Sequence, residues 1–170
     1  MSDVRVLRPF ETPTPAGVAR AVPLAMVMLG SAMTILPFVA TFPILPPFGL
    51  LMLLAWRLRR PDAFRTWEPV LLGLFDDLVS GQPLGSAMLF WTLATLAVAV
   101  IETRLVWRNF AQDWLVAAAG VAACLLGGRL VATPLASHAD SALLLQVIAG
   151  AALFPLAARL VAQADRRIGR

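Results

Sequence analysis

The 170-residue chain is 59% hydrophobic, has a mean hydropathy of +0.80, and carries charge on only 14% of its residues, well below the roughly 25% of a soluble domain. So much apolar surface cannot be covered by a polar shell, which makes lipid the expected solvent for most of the chain and leaves no room for a soluble catalytic domain. The net charge of +4 comes from 14 arginines and no lysine; because these stand at the ends of apolar runs, they read as a membrane-orientation signal and not as a nucleic-acid surface. Cys124 and His138 are single residues of their kinds, so no disulfide, metal cluster or cofactor is expected.

Residues 1–18 read as a short cytoplasmic tail, charged by Arg5 and Arg8 and kept from helix by Pro9, Pro13 and Pro15. The following charge-free run, Ala21 to Trp56, is 36 residues long, far longer than the 7–15-residue apolar core of a signal peptide. As one helix it would measure about 54 Å against a hydrocarbon core of about 30 Å. Pro37, Pro43, Pro46 and Pro47 divide it into spans near 19–40 and 44–57, the second short enough to be tucked against its neighbours. After the basic loop Arg57–Arg65, further spans are expected at 68–80, 84–102, 114–134 and 141–162, with 163–170 as a second cytoplasmic tail. Six spans place 13 of the 14 arginines on one side, only Arg129 lying toward the other; five spans would scatter them. The positive-inside rule therefore puts both termini in the cytoplasm. Trp56 and Trp67 bracket one basic loop, and Trp107 and Trp114 lie in or beside the other, as interfacial rings should.

The stretch Glu68–Gly85, EPVLLGLFDDLVSGQPLG, places two adjacent acids in an apolar span, although a charge at midspan costs roughly 2.5–3.5 kcal/mol on insertion scales. A serine nucleophile would have to be Ser80 with His138, and no nucleophile motif surrounds Ser80. An aspartyl dyad needs two facing carboxylates, but Asp76 and Asp77 point about 100° apart on a helix. A transport site could draw on Asp76, Asp77, Thr92, Thr95, Arg129 and Gln146, which form no recognisable coordination set; the threonines fit helix-to-helix hydrogen bonds. Gly73, Asp77 and Gly81 share one helical stripe, so Asp77 reads as internal. Asp76 lies on the adjoining stripe, free to meet a headgroup, an arginine or a partner. Arg129 either snorkels to the outer interface or pairs with Asp76 or Asp77. Ala119, Ala123 and Gly127 repeat every four residues, a pattern for close helix packing.

The run Gly73-Leu-Phe-Asp76-Asp77-Leu-Val-Ser-Gly81-Gln-Pro-Leu84-Gly85 resembles the G-x-x-x-D-x-x-x-G-x-x-L-G signature of the rod shape-determining MreD family, with Asp77 at the family aspartate and Asp76 as an addition. Trp56 before a basic segment and Pro61, Arg108-Asn109 between the fourth and fifth spans, and Phe154-Pro155 in the last agree. The resemblance implies an all-α polytopic protein of the bacterial inner membrane, a compact bundle of six transmembrane helices similar in fold to the substrate-binding subunits of energy-coupling-factor transporters. It implies a non-enzymatic part of the cell-wall elongation machinery that keeps rod shape by scaffolding or regulating peptidoglycan synthesis. The implied partners are MreC and, through it, the MreB filament, RodA and a class B penicillin-binding transpeptidase. The similarity to transporter subunits leaves a vitamin-type solute-binding role as the alternative. A polar cavity opening outward would favour transport, and an apolar exposed groove would favour the scaffold.

Overall fold

The computed structural model describes residues 16–35, 45–104, 109–132 and 140–168. All the regular structure in them is helical: α1 (Ala16–Ala32), α2 (Phe48–Arg59), α3 (Glu68–Ser80), α4 (Ser86–Arg104), α5 (Phe110–Ala132) and α6 (Asp140–Ile168), with 3-10 turns at Met33–Ile35 and Pro61–Ala63. The expected loops around Pro37, Pro43, Arg108, Pro134 and His138 lie outside the described residues.

Local chemistry sets several helix ends. At the close of α2 the Arg60 N–H donates to Trp56 O, and Arg60 is extended because Pro61 follows it. α3 opens with Pro69 in its first turn, while Glu68 Oε2 accepts from the Arg65 N–H at 2.8 Å. α5 begins in a reciprocal cap. The Gln112 N–H donates to Asn109 Oδ1 (2.9 Å), and the Asn109 N–H donates to Gln112 Oε1 (3.3 Å).

The helices run alternately up and down. The end of α1 meets the start of α2, where Gly30 faces Phe48 and Gly49. The end of α2 meets the ends of α4 and α6 through ion pairs: Arg57 with Glu102 at 2.9 Å, and Arg59 and Arg60 with Asp165 at 3.1 and 2.7 Å. One end of the bundle is therefore rich in arginine, and the turn between α3 and α4 lies at the other.

α2 is the centre of the fold. Eight of its twelve residues are buried, among them Leu50, Leu51, Leu53, Leu54 and Trp56. At 1.5 Å per residue it is about 18 Å long, and it can be that short because protein surrounds it. This corrects the expectation for Trp56, which is fully buried and not interfacial; a ring on a central helix has no route to a headgroup. Trp67, on the loop, is exposed. α6 also departs from expectation. It continues past residue 162 to Ile168, held there by the Asp165 ion pairs and by burial of Val161 and Ile168.

α4, α5 and α6 form the outer face. Among the described residues they are the three helices long and apolar enough to cross a membrane, and only 28%, 11% and 22% of their most apolar windows are buried. Leu93, Val100, Leu115, Leu130, Ile148 and Leu156 point outward, which is a stable arrangement in hydrocarbon and a poor one in water.

One polar contact joins α5 to α6 on this face. Pro155 has no N–H to give the carbonyl of Ala151 four residues earlier. Trp114 Nε1–H donates to that Ala151 oxygen at 2.7 Å, replacing the missing helical bond as lipid-exposed backbone requires. Trp114→Phe should lower stability by about 1 kcal/mol. In a Pro155→Ala background, where the helix supplies its own N–H, the same change should have little effect. Thermal unfolding of the four proteins in detergent checks this coupling.

Candidate functional site

The aspartate-bearing stretch folds as a helix hairpin, α3–turn–α4, and Asp77 locks its two arms together. Asp77 is 1% exposed. Its Oδ1 accepts from Ser86 Oγ–H and the Ala87 N–H, both at 2.9 Å. Its Oδ2 accepts from the Gly85 N–H at 2.9 Å and, at the limit of bonding distance, from the Met88 N–H at 3.5 Å. These are the opening groups of α4, whose first-turn N–H groups have no partner within their own helix. A carboxylate on one helix thus caps the next, and its negative charge lies at the positive end of the α4 dipole. That environment accounts for an ionisable group buried in an apolar bundle.

The glycines of the motif make this geometry possible. A Cβ on Gly73 would stand 2.6 Å from Met88 N and 2.7 Å from Ala87 C and O, so only glycine lets the start of α4 lie against α3 one turn before Asp77. Gly81 ends α3 with φ +69°, and Gly85 precedes α4 with φ +96°, both in the left-handed region that favours glycine. Leu84 is 72% exposed, so the core does not explain it.

Asp76 faces the other way. It is 6% exposed, against α1 and α2, and not turned outward to a headgroup. Ser31 Oγ approaches its carboxyl without reaching hydrogen-bond geometry. Beside it lies a cavity of about 40 Å³ bordered by Pro47, Leu50, Gln82 and Ser86, room for about one water. None of the ion pairs among the described residues joins Arg129 to Asp76 or Asp77. The physical reason for Asp77 is that its oxygens are already occupied by the helix end.

The other candidate polar residues have local roles. Thr92 Oγ1–H donates to Met88 O and Thr95 Oγ1–H to Thr92 O, both within α4, so these threonines do not bond between helices as expected. Ser80 Oγ–H donates to Asp76 O. The Cys124 thiol donates to Phe90 O across α4 and α5 at 3.5 Å. Gly127 makes room for the Phe90 ring. His138 lies outside the described residues, and no cluster of potential metal ligands occurs among the described ones.

The model for the family described as rod shape-determining protein MreD matches residues 20–159, which takes in most of the chain and the whole capped hairpin. The chain belongs to the MreD family. Among curated proteins and solved structures there is no match to it. MreD-family proteins are membrane proteins of the cell-shape machinery, and the three long apolar helices fit that setting. Within this family member, the sequence signature corresponds to a closed packing device: glycine for approach, aspartate for capping, and two glycines for the turn.

Sequence reading has Asp77 internal, as the structure does; what it missed was that the carboxylate caps the start of α4. The signal was present in Gly-Ser immediately before the α4 apolar run, a helix start eight and nine residues after the aspartate, with no acid of its own in the first turn.

Proposed function

We propose that this protein is a non-enzymatic, six-span component of the bacterial inner membrane with both termini in the cytoplasm, maintaining rod shape by scaffolding or regulating peptidoglycan synthesis. Its direct partner is MreC, through which it connects to the MreB filament, RodA and the class B transpeptidase. The observation that carries this reading is the family match over residues 20–159. The surface supports it. Between α4 and α5 lies an apolar groove of about 580 Å³, lined by bulky residues such as Phe90, Leu93 and Leu115 together with Ala94, Ala97, Ala119, Gly120 and Ala123, small residues that allow a partner's transmembrane helix to approach closely. The candidate site is engaged in holding the hairpin and presents no dyad for chemistry.

The transport reading asks for a polar cavity opening at the end away from the arginines. The space beside Asp76, at about 40 Å³, is an order of magnitude below the roughly 300–1,000 Å³ of small-molecule sites. Depletion of the protein in its bacterium tests the choice. Rounded cells with disordered wall synthesis are expected; rods of normal shape that lose uptake of a nutrient would overturn the proposal.

A further inference from the structure

Two of the clefts at the arginine-rich end of the bundle differ in chemistry. One holds Arg20, Arg57 and Arg65, but Arg57 is paired with Glu102 and Asp62 lines the same wall. The other, about 500 Å³ between α2, α6 and the start of α5, has a floor of Leu58, Phe154, Pro155 and Ala158 and a rim of Arg59, Arg159 and Asp113. Asp113 is engaged in an interaction of its own. Arg59 is held through its Nε–H, which donates to Asp165 Oδ2 at 3.1 Å, leaving the two terminal nitrogens of a fixed guanidinium as donors. Asp165 is shared with Arg60, so one carboxylate serves two cations. Arg159 is exposed and makes no hydrogen bond or ion pair with another described residue.

We propose that this cleft binds the headgroup of an anionic phospholipid, with its phosphate at Arg59 and Arg159 and its first acyl methylenes over Phe154 and Ala158. Guanidinium forks match phosphate oxygens in geometry and charge. The apolar side of the cleft, Leu58, Phe154, Pro155 and Ala158, gives acyl methylenes a surface, which selects an amphiphile over a free anion. Basic pockets between transmembrane helices recognise anionic headgroups on this basis. A zwitterionic lipid would bring its ammonium toward the same arginines and should be held less well.

The test is native mass spectrometry of the full chain released from detergent, with phosphatidylglycerol, phosphatidylethanolamine and inorganic phosphate added separately. The wild type should retain phosphatidylglycerol in preference to phosphatidylethanolamine, and millimolar inorganic phosphate should not displace it. Arg159→Gln, an exposed change that the fold tolerates, should weaken phosphatidylglycerol retention about fivefold. Arg166→Gln, which removes an exposed charge outside the cleft, should leave it unchanged. Equal retention of the two lipids, equal loss in the two variants, no loss in Arg159→Gln, or displacement by inorganic phosphate would each overturn the proposal.

Discussion

Replacing Asp77 by alanine should destabilise the protein by about 3 kcal/mol or more, because the change strands several buried donors at roughly 1–3 kcal/mol each. The donors are the Gly85, Ala87 and Met88 N–H groups and the Ser86 hydroxyl, all directed at one carboxylate that is 1% exposed. The site is buried within the protein, so bulk water does not reach those donors to replace it. Asp77→Asn retains one carbonyl oxygen but loses the second acceptor and the charge at the helix end, so it should fall between alanine and wild type. Asp76→Asn should be milder than either, since Ser31 approaches Asp76 without hydrogen-bond geometry. Thermal unfolding of detergent-extracted protein ranks the three.

The second large effect is expected at Gly73. Overpacking a well-packed site costs roughly 1–3 kcal/mol, and Gly73→Ala should reach about 3 kcal/mol because the added Cβ meets the rigid backbone of Ala87 and Met88, not a movable side chain. Moving that backbone also draws the start of α4 away from Asp77. The two positions therefore act on one contact, and the double variant Gly73→Ala/Asp77→Ala should lose clearly less than the sum of the single losses. Additive losses in a double-mutant cycle would mean that the close approach and the cap are independent.

Composition alone made the chain helical and apolar, because a lipid-facing surface writes itself directly into residue type. The family was legible in the spacing of Gly73, Asp77, Gly81, Leu84 and Gly85, since each of those glycines is required by a backbone conformation or a contact that no other residue satisfies. The burial of Trp56 was not legible. Whether an apolar helix is central or peripheral depends on its neighbours, and a short charge-free segment reads the same in both places. The extension of α6 to Ile168 was hidden for a related reason. Arg166 and Arg167 look like a solvated tail until Asp165 is seen joined to Arg59 and Arg60, more than a hundred residues away in the chain. The divergence of Asp76 and Asp77 on the helix was legible in their adjacency, but the burial of Asp76 beside Leu50 and the start of α4 was not, because it depends on which helices pack against that stripe.

The central claim is that Asp77 serves shape through the fold and not through chemistry or direct recognition. It is tested by measuring the thermal midpoint of membrane-extracted Asp77→Ala protein from cells in which it is the sole copy, alongside their shape. The account predicts rounded cells together with a midpoint lower by roughly 5 °C or more and a reduced pool of folded protein. Rounded cells that contain a full pool of Asp77→Ala protein with the wild-type midpoint would contradict it.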